Sequence, residues 1–164
     1  MPRPVFIATH PNFESDDRKI VNRLLFSWKE WGEYSNVKKF EEMVGGYFDR
    51  PAFALDSARS SLFIYLRNLD LPEQSEVILP AFSCMVVANA VKWANLKPVF
   101  VDCKAGNFNY DLEDLKKKVT SKTKVVLVQH TFGFPEDIDS IRQITGKDAQ
   151  IVEDLAHSLG GQKD

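Results

Sequence analysis

The 164-residue sequence is 44% hydrophobic and 27% charged, with 21 basic against 23 acidic side chains and a formal charge of −2. That profile fits one ordinary globular domain, long enough to bury roughly 70% of its unfolded surface. Balanced, interspersed charge gives no support for a nucleic-acid or anionic-membrane partner.

Residues 1–14, with Pro2, Pro4 and Pro11, read as an extended leading arm. Helical spacing follows from Asp16 to about Trp28, with Ile20, Leu24 and Trp28 on one stripe. A second helix is predicted over Asn36–Tyr47, frayed at its end by Gly45 and Gly46. The rhythm then changes. Phe53-Ala54-Leu55 reads as a short strand, Ser57–Ser61 as a small polar turn, and Leu62–Leu69 as a helix. Glu76–Pro80 is a strand closed by proline, Met85–Ala94 a helix, and Lys97–Val101 a strand ending at Asp102. A helix over Asp111–Val119 starts near Asn109 or Asp111, and its run Lys116-Lys117-Lys118 belongs on a solvated face. Lys124–Val128 is nearly unbroken β-branched sequence, as expected for a strand covered on both faces. A helix over Asp137–Thr145 and a strand over Gln150–Glu153 complete the series.

Strands alternating with short helices mean βαβ units, so the fold class is α/β, with helices on both faces of a mostly parallel sheet. Cys84 and Cys103 stand at no metal-ligand spacing and read as reduced, half-buried thiols; no metal site is indicated. No charged-then-apolar leader opens the chain, and no apolar run approaches the ~20 residues of a membrane span, which points to the cytoplasm.

In an open parallel sheet, chemistry gathers beyond the carboxyl ends of the strands. That rule nominates Ser57–Ser61, Ala81–Cys84, Asp102, Gln129–Gly133 and Asp154–Ser158. The serine-rich turn suits an anion, since amides at a helix N-terminus and hydroxyls bind phosphate, but the same turn also serves as a plain helix cap. No GxxxxGK[ST] or GxGxxG pattern selects a nucleotide. Asp154 at a strand tip calls for a cationic or hydrogen-bonding partner: a protonated pyridine nitrogen, an arginine or a metal. His157 can face the same ligand if the chain turns helically there. His130 shapes a loop with Gly133, and Asp102 caps or turns.

The segments DSARSSLFIYLRNL, EVILPAFSCMVVANAVKWANLKPVFVD, KTKVVLVQHTFGFPEDIDSI and IVEDLAHSLGG, in that order and spacing, resemble the pyridoxal-phosphate sugar aminotransferases of the DegT/DnrJ/StrS type, within the fold-type-I aspartate aminotransferase superfamily. The resemblance runs from about Trp31 to Gln162. It implies an N-terminal region over residues 1–50, then over 51–164 part of a three-layer α/β/α cofactor-binding large domain, without its last strands or the small domain. It puts Ala58 and Arg59 where backbone amides hold the cofactor phosphate. Cys84 falls where the family stacks an aromatic ring on the pyridine, Asp154 on the aspartate that pairs with the pyridine nitrogen, and His157 near the ring hydroxyl. A thiol at Cys84 offers less stacking surface than an aromatic ring; Arg59 for the common threonine leaves the backbone role intact.

One expected part is missing. The family's Schiff-base lysine lies well beyond the aspartate motif, and Lys163 does not match it, so no catalytic lysine is assigned and these residues alone are not expected to transaminate. The resemblance implies a homodimer that passes an amino group from glutamate to a nucleotide-linked keto-sugar. Two alternatives are a non-catalytic paralogue acting as a partner subunit and part of a pyridoxal-phosphate-dependent sugar dehydratase, in which histidine replaces the lysine. Unpaired strand edges and bare apolar helix faces are expected.

Overall fold

In the computed structural model, which describes residues 14–160, four parallel strands form one sheet. They are β1 (Glu76–Pro80), β2 (Lys97–Val101), β3 (Thr123–Gln129) and β4 (Gln150–Asp154), in the order β2-β1-β3-β4. Helices α3 (Ala58–Asn68) and α4 (Met85–Trp93) cover one face; α5 (Leu112–Lys118) and α6 (Ile138–Thr145) cover the other.

Strand alternation builds both cores from the same segments. Val77, Leu79, Val125 and Leu127 pack with Leu66, Val91 and Leu96 beneath α3 and α4. Their neighbours Ile78, Val126 and Val128 turn the other way, onto Leu115, Ile141 and Tyr110. Hence the uninterrupted β-branched run: each face of β1 and β3 meets helices, so neither has a polar side. The unbroken burial of Glu76–Pro80 is the same fact seen along β1.

Three of the four helices on the sheet, α4 excepted, begin where a side chain takes up first-turn amides. The Ser57 hydroxyl accepts from the Ser60 amide, the Asp111 carboxylate from those of Glu113 and Asp114, and the Asp137 carboxylate from that of Ser140. Lys116 and Lys118 pair with Glu113 and Asp114 one turn back on α5, as a solvated lysine run should.

A contact boundary falls between Ala54 and Leu55. The segment before it holds α1 (Ser15–Phe26), a 3-10 turn over Trp28–Gly32 and α2 (Tyr34–Phe48). Neither α1 nor α2 has a buried residue, and Phe26, Trp28 and Met43 are largely exposed. The bare apolar helix faces anticipated from the sequence are therefore present.

Several expectations need correction. Phe53–Leu55 forms no strand, and Phe53 is 82% exposed. Three apolar residues gain no ladder without a neighbouring strand, and among the described residues the sheet ends at β4. Trp28 lies beyond α1, in the 3-10 turn. The second helix runs Tyr34–Phe48, within two residues of the expected bounds, and continues through Gly45 and Gly46 to a left-handed cap at Asp49 (φ 51°). Cys84 is exposed rather than half-buried; Cys103 is half-buried. The proline-rich leading arm, but for Glu14, and Lys163 lie outside the described residues.

At the opposite edge from the strand tips, Glu76 is buried at the start of β1. Its carboxylate accepts from the Thr120 hydroxyl and pairs with Lys97 of β2 at 3.0 Å. The Thr120 hydrogen bond, reinforced by Lys97 and opposed by burial, holds its pKa below the usual carboxylate range. A depressed carboxylate stabilises the fold above its unfolded pKa of about 4.3, and that stability drains away as pH falls through the folded value. Glu76→Gln should therefore lower stability at pH 7 in urea titrations, with the gap to wild type closing below about pH 4; a gap that widens with acid contradicts this assignment. Ile78→Ala, which empties a fully buried position, should cost about 2–5 kcal/mol in the same titrations, and a cost under about 0.5 kcal/mol would mean the two-faced core is wrong.

Candidate functional site at the strand tips

All four strands are parallel, so their carboxyl ends share one edge of the sheet. Helix α3 runs back from that edge to feed β1, which puts its first turn on the same side. Register then decides which face each tip residue serves. Gln129 of β3 lies opposite Asp154 of β4. Counting back by twos, Asp154 aligns with Val152 and Gln129 with Leu127, both on the α3–α4 face. Tyr65 of α3 confirms the parity by donating its hydroxyl to the Gln150 side chain, four residues before Asp154.

The first turn of α3 is built from Ser57. Its hydroxyl takes the Ser60 amide and its carbonyl takes the Ser61 amide, while the Ser61 hydroxyl returns to the same carbonyl at 3.0 Å. The amides of Ala58 and Arg59 have no intrahelical acceptor, because they open the helix. That turn fits a phosphate in dipole and donor supply. Arg59 reaches over the Trp93 ring at 5.9 Å, tying α3 to α4 and leaving its backbone at the turn.

The other predicted residues surround the same edge. Cys84 is the exposed N-cap of α4. Ser83 beside it donates to the Gln129 side chain at 2.9 Å, joining the tips of β1 and β3. Asp154 is half-buried, and one carboxylate oxygen accepts from the Ala156 amide at 2.9 Å, which fixes its plane. His157 is exposed, its ring lying flat against Phe132 at 5.2 Å and 7°. Asp102 turns the chain: its carboxylate accepts from the Cys103 amide, and its own amide donates to Asp114 of α5.

Two features went unread in the sequence. One is a cluster of rim aromatics in which Phe108 touches Phe82, Phe132 and Phe134. The signal was present in loops that carry phenylalanine where solvated turns carry polar residues. The other lies on the opposite face. His130 is buried; its Nε2 meets Glu153 at 2.9 Å and its Nδ1 accepts from the Glu136 amide at 3.1 Å. It does shape the loop, as the sequence led one to expect. The Glu136 carboxylate accepts from the Tyr110 amide at 2.8 Å. Burial pushes the pKa of Glu136 up, against the opposing hydrogen bond from Tyr110. A cleft of about 260 Å³ opens beside these groups, lined by His130, Glu136, Glu153 and Ser158. It lies on the face away from Asp154, and its acidic lining suits neither a phosphate nor a pyridine ring. The strand-tip arrangement on the α3–α4 face is the better candidate on chemistry.

Among the described residues no cluster of histidine, cysteine and acidic side chains has metal-binding geometry, and no helix is long and apolar enough to cross a membrane. What the strand-tip edge offers is a helix-start turn suited to an anion and a half-buried carboxylate on the α3–α4 face, with the His157 ring laid against Phe132 at the same edge. A molecule with a phosphate at one end and a basic ring nitrogen at the other fits that donor set.

Comparison with known proteins gives the same direction. GDP-perosamine synthase of Escherichia coli O157:H7 is 25% identical over 154 residues, covering 93% of this chain and 42% of that protein. The aminotransferase from Psychrobacter cryohalolentis superposes with a TM-score of 0.79 at 26% identity, over 90% of this chain and 38% of that one. The E. coli GDP-4-keto-6-deoxy-D-mannose-3-dehydratase with bound hydrated pyridoxal phosphate superposes with a TM-score of 0.75 at 27% identity, over 88% and 39%. The chain thus spans about two-fifths of the length of these relatives. Its four-stranded parallel sheet is the corresponding part of their fold-type-I architecture. The DegT/DnrJ/EryC1/StrS aminotransferase sequence pattern matches residues 12–164, and the chain belongs to that family.

Proposed function

We propose that these residues form the cofactor-holding N-terminal part of a pyridoxal-phosphate enzyme that passes an amino group from glutamate to a nucleotide-linked keto-sugar. The observation that carries this reading is the register that turns Asp154 to the face where α3 begins. On that face the amides of Ala58 and Arg59 take the phosphate, and Asp154 holds a proton on the pyridine nitrogen. His157 borders the ring hydroxyl, and Cys84 lies against the ring with less stacking area than an aromatic side chain. Bound pyridoxal phosphate would supply the electron sink for the chemistry at the amine-bearing carbon. The protein's part here is to bind the phosphate, to orient the ring and to keep a proton at one nitrogen.

No lysine in the 164 residues matches the family's covalent position. By themselves, then, these residues hold the cofactor without bonding to it and do not transaminate. A homodimer is part of the proposal, supported by the exposed Phe26, Trp28 and Met43. The likeness to a 3-dehydratase supports a second reading, in which the same cofactor site serves dehydration; the residue at the lysine position separates the two.

Titrating the isotopically labelled chain with pyridoxal phosphate should shift the Ala58, Arg59 and Ala156 amides together. Shifts scattered over surface lysines alone would contradict the site. Asp154→Asn should weaken that binding about 10–100-fold, the worth of one charge-assisted hydrogen bond, and leave stability within about 0.5 kcal/mol. Unchanged affinity would remove Asp154 from the site. Borohydride treatment of the mixture, followed by mass spectrometry, should give no single stoichiometric lysine adduct; one specific adduct would overturn the noncovalent reading.

A further inference from the structure

The His130 network belongs to the face opposite Asp154, yet it is connected to the proposed site at both ends. Glu153, its partner on β4, is the residue immediately before Asp154. Glu136, its backbone partner, closes a loop that starts at His130 itself. Within that loop the Gly133 amide returns to the His130 carbonyl and the Phe134 amide to that of Thr131. Between them Phe132 is held at φ 54°, ψ 27°, left-handed backbone that a bulky aromatic residue adopts only when its surroundings impose it. What the conformation achieves is visible: the Phe132 ring lies flat on His157.

The hydrogen bonds also fix the ring's tautomer. Nδ1 accepts an amide proton from Glu136, so the imidazole proton sits on Nε2 and is donated to Glu153. One buried ring therefore binds a strand through one nitrogen and a loop through the other. Glu136 makes the loop's far end rigid by taking the Tyr110 amide, and Tyr110 anchors to the Leu127 carbonyl of β3 at 2.6 Å. Phe132 and Phe134 are both about half exposed and lean on Phe108, and Asn109 holds the Pro135 carbonyl at 2.7 Å; the bond from the His130 ring adds the tie between this loop and β4.

We propose that His130 is a positioning residue: by clamping Glu153 to the 131–136 loop it sets the Phe132 ring on which His157 stacks, and so aims His157 at the ligand. The inference rests on the reading that His157 borders the cofactor ring. Neither His130 nor Glu153 touches the ligand; they act from behind the sheet, through the backbone of the β3 and β4 tips.

The chain has three histidines, so its imidazole NMR signals can be assigned by substitution. His157 ring protons should be moved upfield by the Phe132 ring, and Phe132→Leu should abolish that displacement. Glu153→Ala should reduce it by more than half with a cooperative melt retained, because the Glu153 side chain is half-exposed and its removal leaves the core filled. Glu153→Gln, which still accepts the Nε2 proton, should restore it. A role in stability alone would lower the melting temperature in both Glu153 variants without moving the His157 ring. Full displacement in Glu153→Ala overturns the proposal, whether or not His130→Ala folds. Adding pyridoxal phosphate to the wild-type chain should then shift the His157 signals. If they stay fixed while the Glu153 series behaves as described, the cofactor reading fails and the aim toward a ligand fails with it, although the clamp itself stands.

Discussion

Everything in this structure depends on the two-residue period of a strand held in register. Val125 faces Gln150 across the β3–β4 ladder, and four steps later Gln129 faces Asp154. That register sends Leu127, Gln129, Val152 and Asp154 to one side, and Val128, His130, Ile151 and Glu153 to the other. A slip of one residue would turn Asp154 toward the acidic cleft and Glu153 toward α3. The apolar side chains below the tips prevent it, because each belongs to a core that a slip would expose. Packing thus fixes the chemistry: the hydrophobic positions of β3 and β4 choose the face on which the carboxylate ends.

The two faces of the tips then divide the work. On the α3–α4 side are a helix-start turn suited to an anion and a half-buried carboxylate with its plane fixed by Ala156; the His157 imidazole lies against the Phe132 ring at the same edge. On the α5–α6 side are a buried histidine and two carboxylates: Glu136 accepts the Tyr110 amide, and Glu153 meets the His130 ring. The first set is open and offers donors and acceptors to a ligand. The second borders a cleft of about 260 Å³ but spends its hydrogen bonds on its own loops and strand. Adjacent residues, Glu153 and Asp154, belong to the two sets. Loops that carry function gain precision when a rigid scaffold restrains them, and here the restraint comes through the sheet.

Much of the fold could be read from the sequence, because the βαβ rhythm is local and strong. The unbroken run at Lys124–Val128 announced a strand buried on both sides, and the helices expected over Asp111–Val119 and Asp137–Thr145 are found within a residue or so, each capped by its leading aspartate. Phe53–Leu55 misled because a strand is a property of pairs: its apolar letters say nothing of whether a neighbour lies alongside. Of the candidate site, the places of Asp154 at a strand tip and of the Ser57 turn at a helix start were legible. The roles of Glu153 and Phe132 were not. Which face a tip residue takes depends on register, and a left-handed phenylalanine depends on a loop closed by a hydrogen bond to a side-chain nitrogen.

The central claim is that the phosphate-suited turn of α3 and the Asp154 carboxylate grip one molecule on one face. A crystal structure of the chain soaked with pyridoxal phosphate tests it most directly. The account predicts the phosphate on the Ala58 and Arg59 amides and the ring nitrogen about 2.7–3.1 Å from the Asp154 carboxylate. Density for the molecule in the cleft beside His130 and Glu136, with the α3 turn empty, would contradict it.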